Sequence, residues 1–342
     1  MWWNQNMNDR LMPWKGEKDP YKIWLSEIIL QQTRVEQGWE YYLRFVKKYP
    51  VINKLAAAND DEVFKLWEGL GYYSRCRNLL ATARFISHEL KGKFPSQYND
   101  IVQLKGVGPY TASAIASFAF NLPNAVVDGN VNRVLARYFG IQTAIDSTEG
   151  KKHFAALAQE LLPLKEPGLY NQAIMDFGAT ICKPQLPLCV QCVLSKHCAA
   201  YNTGRVNELP VKEKKIIKKN RWFYYIVLEK EGRYFVRKRG GKDIWQNLHE
   251  FILIEWPASI NAEELVTTDE FKSMVPGRVD LLNISKEYRQ QLTHQTIHAV
   301  FIEAGLLGSK LPKGFEVVDI KTMKQKAFPR MLNHFIEHKG WK

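Results

Sequence analysis

The 342-residue chain has no apolar run that reaches the ~18 residues of a membrane-spanning helix. Its longest apolar stretches, Ile23–Leu30 and Ala112–Phe120, are interrupted by polar side chains. The N-terminus, Met1-Trp2-Trp3-Asn4-Gln5, lacks the basic-then-apolar pattern of a secretory signal. A membrane partner and a secretory route are therefore not expected, and a cytoplasmic protein is. Cysteine is scarce, with five in all, and an odd count without a signal argues against a disulfide framework. Internal repeats and low-complexity tracts are also missing. Acidic residues are outnumbered, 35 against 48 basic ones, for a formal net charge of +13. That excess points to a polyanionic partner, nucleic acid before membrane.

What is present is core-forming material. Hydrophobic residues make up 46% and aromatics 12%, which excludes global disorder. The length exceeds the ~250–300 residues at which single cores stop growing, so two or more domains are expected. Residues 1–204 carry helical spacing of apolar residues over 21–36, 39–48, 60–70, 76–91, 111–120, 130–139, 150–162 and 170–181. Residues 205–221 hold seven basic and two acidic residues and read as a linker. Beyond it, Trp222–Leu228, Tyr234–Arg239, Phe251–Glu255 and Ile297–Ile302 are rich in β-branched and aromatic residues. The expected architecture is a mainly α part over 1–204 and a smaller α+β domain over 222–342.

Cys182, Cys189, Cys192 and Cys198 follow the spacing C-x6-C-x2-C-x5-C. A zinc ribbon wants two C-x2-C pairs, and only one exists here. Four thiolates wrapping one compact object suit a [4Fe–4S] cluster, with structural zinc as the alternative. Lys183, Lys196 and His197 place positive charge in the same loop. Cys76 stands alone and reads as a buried apolar residue, with its role left open.

In Leu104-Lys105-Gly106-Val107-Gly108-Pro109-Tyr110, two glycines bracket an apolar residue and open a helix. Glycine permits close backbone approach, and a helix N-terminus offers free N–H groups to an anion. Gly106, Val107 and Gly108 are therefore candidates for gripping a DNA phosphate, in what looks like a helix-hairpin-helix motif. Glu27 has Ile23, Trp24 and Leu30 as helical neighbours, and desolvation on such a wall favours the protonated acid. Asp128 precedes a helix, where an N-cap is common and the ionised form is favoured. One protonated and one ionised carboxyl are what chemistry at a sugar carbon uses.

These segments together resemble the adenine DNA glycosylases, the MutY branch of the endonuclease III superfamily. The resemblance rests on Trp24 to Thr33, Val127 to Val131, Gly69 to Arg75, Asn171 to Asp176 and the cysteine loop, in order over about residues 10–200. It implies an enzyme of base excision repair, acting on double-stranded DNA with adenine opposite 8-oxoguanine or guanine. Glu27 would be the general acid, and Asp128 would stabilise the oxocarbenium-like sugar, with Asn130 and Tyr110 supporting them. Related bifunctional enzymes carry a lysine where Tyr110 stands, so a monofunctional glycosylase is expected. Arg10, Trp14, Leu30 and Gln172 match positions lining the adenine pocket. Leu70 and Tyr72 match the duplex wedge, Gln32 would fill the stack, and Thr33 would lie near the oxidised base. A cytoplasmic monomer, nucleoid-associated if the source is bacterial, is implied.

Residues 222–342 resemble the MutT-like, Nudix-fold domain of the same enzymes. No Arg-Glu-apolar-x-Glu-Glu follows Glu263-Glu264, so a recognition domain without hydrolase activity is expected. Leu292-Thr293-His294 resembles the short loop that reads 8-oxoguanine, making Thr293 and His294 candidates. The competing readings are an oxidised-pyrimidine glycosylase of the endonuclease III type and a non-catalytic iron–sulfur DNA-binding protein. The net charge divides as +5 over 1–204, +5 over 205–221 and +3 over 222–342. The linker is thereby expected to strap across phosphates.

Overall fold

The computed structural model describes residues 12–213, 217–275, 277–308 and 311–341. They form two compact units: the residues up to Ala58 with Arg77–Lys214, and Asn59–Cys76 with Lys215–Lys342. The second unit thus takes up a segment from the helical part of the sequence as well as the C-terminal part.

The helical portion runs α1 (Pro20–Leu30), α2 (Val35–Lys48), α3 (Ile52–Ala56), α4 (Asp60–Trp67), α5 (Tyr73–His88), α6 (Tyr98–Ile101), α7 (Pro109–Phe120), α8 (Gly129–Phe139), α9 (Thr148–Leu161), α10 (Pro167–Thr180) and α11 (Ala199–Asn202). Two helices are buried on nearly every side. In α1, Ile23 to Ile29 are all buried, and in α7, Thr111 to Ser117 are. A helix that is apolar all round belongs inside a core. Here α7 packs against α1 and α10, and α10 packs against α8. Val131, Leu135, Phe154, Ile174 and Phe177 close the core between α8, α9 and α10.

Caps set the ends that matter. Asp19 accepts from the Tyr21 N–H and Pro20 opens α1. Pro109 opens α7, and Asn121 closes it in the left-handed conformation at φ 53°. The helical spacing over 21–36 predicts one helix, but the structure breaks it. Helix α1 stops at Leu30, Gln32 is left-handed at φ 56°, and α2 starts at Val35. The apolar period runs across the break because Val35 and Gly38 face inward as well.

The second unit is a mixed sheet in the order β3-β2-β1-β7-β5. Its strands are β1 (Lys219–Lys230), β2 (Arg233–Lys238), β3 (His249–Glu250), β4 (Ile252–Trp256), β5 (Val279–Ile284), β6 (Tyr288–Gln291), β7 (Gln295–Leu306) and β8 (Glu316–Val318). Strands β1 and β7 pair in parallel, while β2 and β4 run antiparallel to β1. Residues Phe223 to Leu228 are buried without alternation because both sheet faces are covered. One face packs Tyr224, Ile226 and Leu228 on Leu265 and Phe271. The other is aromatic: Tyr225 stacks on Phe301, and Phe301 on Phe335. The helices α12 (Ala262–Leu265), α13 (Asp269–Met274), α14 (Ile320–Gln325) and α15 (Arg330–His338) complete the unit. Among the described residues no helix is long and apolar enough to cross a membrane.

Residues 59–76 are fixed to this sheet unit by polar bonds. Lys238 pairs with Asp61 at 2.5 Å. Lys65 Nζ donates to the Lys326 carbonyl at 2.9 Å, and Glu68 Oε1 accepts from the Phe328 N–H at 2.9 Å.

Candidate active site

Glu27 sits on α1 among buried apolar neighbours, with a phenol for company. The Tyr110 hydroxyl, from the first turn of α7, donates to Glu27 Oε2 at 2.8 Å. Burial is the main influence on this carboxyl and raises its pKa from 4.5 to about 7. The Tyr110 bond opposes that rise, and the charge of nearby Asp128 adds to it. Tyr110 itself is pushed well above 10 by burial and by the two carboxyls, so it stays a donor.

Asp128 caps α8, accepting from the Val131 N–H at 2.7 Å and from Asn130 Nδ2 at 2.6 Å. The cap expected from sequence is present. Burial nonetheless outweighs those bonds and raises the Asp128 pKa above its ordinary value. The contrast between the two carboxyls is therefore one of degree: Tyr110 donates to Glu27, whereas Asp128 takes donors from Val131 and from both the side chain and the backbone of Asn130.

Both carboxyls open on one cavity of about 520 Å³. Trp14, Leu30, Gln32, Thr33, Tyr110, Asn130 and Gln172 line it too. The α1–α2 break gives it Gln31 to Arg34, and Gln31 Nε2 is tied to Thr111 Oγ1 at 3.2 Å. Arg10 lies outside the described residues. Trp14 is held edge-on by Trp39 and Tyr42, and Gln172 Nε2 donates to Asp176 Oδ2. Asp176 and Met175, also in the lining, escaped sequence reasoning.

Two arginines on α8 were missed as well. Arg133 Nη2 donates to Asn130 Oδ1 at 2.8 Å and to the Gly178 carbonyl at 2.7 Å, while its Nε donates to the Cys182 carbonyl at 2.7 Å. Asn130 in turn holds Asp128. A Cβ at Gly178 would lie 2.9 Å from the Asn130 carbonyl oxygen, so only glycine lets α10 approach this close. The signal was two arginines four residues apart on an otherwise buried helical face. Arg137 is the other, one turn on.

The hairpin glycines differ. Gly106 is left-handed at φ 80°, and a Cβ there would meet Asn78 at 2.7 Å. Gly108 has extended backbone and open space around it, at the N-cap of α7. Val107 is buried between them.

The four thiols of the cysteine loop line one small pocket, and none forms a disulfide. Among the described residues no group of three or more His, Cys, Asp or Glu is placed to hold a single metal ion. Four free thiols around one pocket are a soft-ligand set. Cys76 is fully buried.

Residues 25–163 match the HhH-GPD superfamily base excision DNA repair proteins, and residues 223–338 match the NUDIX domain. The chain is similar to the adenine DNA glycosylase of Buchnera aphidicola subsp. Baizongia pistaciae (strain Bp), at 34% identity over 298 residues, 86% of this chain and 82% of that one. The chain belongs to the adenine DNA glycosylase family. It is accordingly a base-excision repair glycosylase with DNA as its partner. The Homo sapiens adenine DNA glycosylase is 43% identical over 208 residues, 58% of this chain and 38% of the human protein. A solved thermostable thymine-DNA glycosylase aligns at 33% identity with a TM-score of 0.54, over 58% of this chain and 91% of that one. Endonuclease III in a complex with DNA shares the fold, at 22% identity and a TM-score of 0.50 over 55% of this chain and 86% of that one.

In this glycosylase the remaining site candidates lie in the sheet unit. Tyr72 is 44% exposed and left-handed at φ 48°. Its hydroxyl shares a hydrogen bond of 2.6 Å with Thr293 Oγ1. Thr293 and exposed His294 form the turn between β6 and β7, closed by the Leu292 N–H on the Gln295 carbonyl. Leu70 corrects the sequence reading. At 5% exposure it packs inside, so it presents no side chain to a duplex. Gly69 and Gly71, at φ 91° and 77°, flank buried Leu70, and exposed Tyr72 follows.

Proposed function

We propose that this glycosylase excises adenine opposite 8-oxoguanine or guanine. The observation that carries the reading is a buried carboxyl, Glu27, hydrogen-bonded by Tyr110 and sharing a cavity with Asp128. A pKa near 7 leaves Glu27 substantially protonated at neutral pH, as a general acid requires. The target nucleotide is turned out of the duplex, at a cost of roughly a few kcal/mol, lower at a mispair. Glu27 gives its proton to adenine N7, the C–N bond breaks, and the base leaves with the bonding electrons. Asp128 stabilises the positive sugar electrostatically, oriented by Asn130 and the α8 N-terminus. Trp14, Leu30 and Gln172 enclose the base, with Arg10 as a further candidate.

Tyr110 offers no amine, so the enzyme releases the base without a Schiff-base strand cleavage. Gly106, Val107 and Gly108 with the α7 N-terminus grip a backbone phosphate. Tyr72 wedges the duplex, Gln32 and Thr33 lie at the gap, and Thr293 with His294 reads the opposite base. The sheet unit acts in recognition without hydrolysis. Cys182, Cys189, Cys192 and Cys198 hold a [4Fe–4S] cluster, which when bound braces the loop and supplies local charge. The enzyme works as a cytoplasmic monomer on chromosomal DNA.

A single-turnover base-release assay on duplexes bearing adenine opposite 8-oxoguanine or guanine tests this reading, with an oxidised-pyrimidine duplex as control. Release of adenine without strand cleavage supports it. Excision of the oxidised pyrimidine with a borohydride-trappable adduct, or no release from any duplex, refutes it.

A further inference from the structure

Arg137 is a buried cation whose hydrogen-bond partners, among the described residues, include no carboxylate. It lies on α8 and is 3% exposed. Nη1 donates to the Lys183 carbonyl at 2.7 Å and lies 3.5 Å from Cys182 Sγ. Nη2 donates to the Pro184 carbonyl at 3.3 Å. Nε donates to the carbonyls of Val206 and Leu209, each at 3.0 Å. The backbone carbonyl of Arg137 accepts from Cys198 Sγ at 3.4 Å.

A guanidinium does not lose its proton in a protein, so burial cannot be relieved by neutralisation. Carbonyl dipoles satisfy its donors but leave the charge uncompensated. Cys182 Sγ, 3.5 Å from Nη1, supplies negative charge once the cysteines are thiolates, as ligands must be. Two of its carbonyl partners follow the cysteine loop in sequence. They begin the 205–221 segment, where Leu209 is buried and the Val211 carbonyl accepts from the Ile145 N–H at 3.0 Å.

We infer that Arg137 is the buried counter-cation of the thiolate-bound cluster, and that through it the cluster fastens residues 206–209 to the cysteine loop. This rests on the cluster reading given above. Arg137 is a positioning residue: it touches a ligand sulfur and the following segment, and it is no part of the base pocket lining. A cluster without this cation is easier to oxidise. A cysteine loop without the cluster loses its hold on the start of the linker.

The test compares the wild-type holoenzyme with Arg137→Gln, which keeps donors without charge, and Arg137→Lys, which keeps charge with fewer donors. Iron and sulfide content are measured first; their absence from the wild type sinks the cluster reading and is told apart by that alone. The cluster reduction potential is then expected to fall in Arg137→Gln and to stay near wild type in Arg137→Lys. Hydrogen exchange should show amide protection over 206–211 lost in both. A wild-type potential together with wild-type protection in an iron-loaded Arg137→Gln overturns the assignment. Should neither variant take up iron, the wild type decides. Under graded oxidative loss of iron, the deprotected fraction of 206–211 should track the iron lost, and protection that survives complete loss overturns the proposal.

Discussion

Each unit buries a glutamate, and the two are treated in opposite ways. In the helical unit Glu27 is bonded by a neutral donor, Tyr110, and among the described residues no cation is bonded to it. In the sheet unit Glu250 is bound by Arg237 at 3.0 Å and Arg239 at 2.6 Å. That network continues through Arg239 and Arg221 to Asp243, whose carboxyl the Arg221 bonds hold well below the usual range. A buried acid gripped by guanidinium groups is tied in place, useful for holding strands together. A buried acid left with a phenol keeps its proton to near neutral pH and can donate it. The difference in partners, not in residue type, separates structural from chemical carboxylates.

Several substitutions break or sharpen this comparison. Glu27→Gln should lower single-turnover adenine release about 10²–10⁴-fold, the usual contribution of a general acid, while mismatch binding by gel shift persists. The same change should stabilise the fold at neutral pH. The folded carboxyl binds its proton up to about pH 7 and the unfolded one only to about 4.5, so native stability falls as pH rises across that window. Removing the group should recover up to about 3 kcal/mol above pH 7, read in urea unfolding at pH 5 and pH 8. Equal stability gains at both pH values would contradict the raised pKa.

Glu250→Gln should do the reverse. It takes the carboxylate from half-exposed Arg237 and one of two carboxylates from Arg239, which keeps Asp243, and should cost about 1.5–3 kcal/mol in thermal unfolding, with base release per folded molecule unchanged. Next in size, Gly106→Ala should cost roughly 1–2 kcal/mol of stability from its left-handed backbone, plus displacement of Asn78. Gly108→Ala should fold normally and weaken duplex binding alone; a folding defect there would remove the distinction between the two glycines. The smallest effect is expected for Thr293→Ala. Losing one exposed hydrogen bond to Tyr72 should cost about 1 kcal/mol or less, seen as reduced preference for 8-oxoguanine over guanine. That point change is cleaner than removing 222–342, which would strip residues 59–76 of the strands and carbonyls they bind.

In the linker the structure divides the basic residues between paired and exposed ones. The linker's seven basic residues suggest a strap for phosphates. The structure commits Arg205 to Glu208, and Arg221 to Asp243 and Glu255. Residues 206–211 are seated by Arg137 and Ile145. Lys212, Lys218 and Lys219 remain exposed. Counting charge along a chain does not show which charges are already paired. Strands β5 and β6 were missed for a related reason: mostly exposed residues on β5 and polar ones on β6 give no apolar alternation. Strands β1, β2, β4 and β7 are legible because burial on one or both faces writes itself into composition.

The sequence by itself determined what local rules govern. Cysteine spacing, the glycine hairpin, the Asp128 cap and the apolar wall around Glu27 are each encoded within a turn or two of chain. Tertiary structure alone decided which distant groups meet. Tyr110 reaches Glu27 across 83 positions, and Thr293 reaches Tyr72 across 221. Arg137 joins the cysteine loop to the linker, and residues 59–76 leave the helical unit for the sheet. Pairing and burial are properties of neighbours in space, and they set whether a glutamate is an acid or a strut.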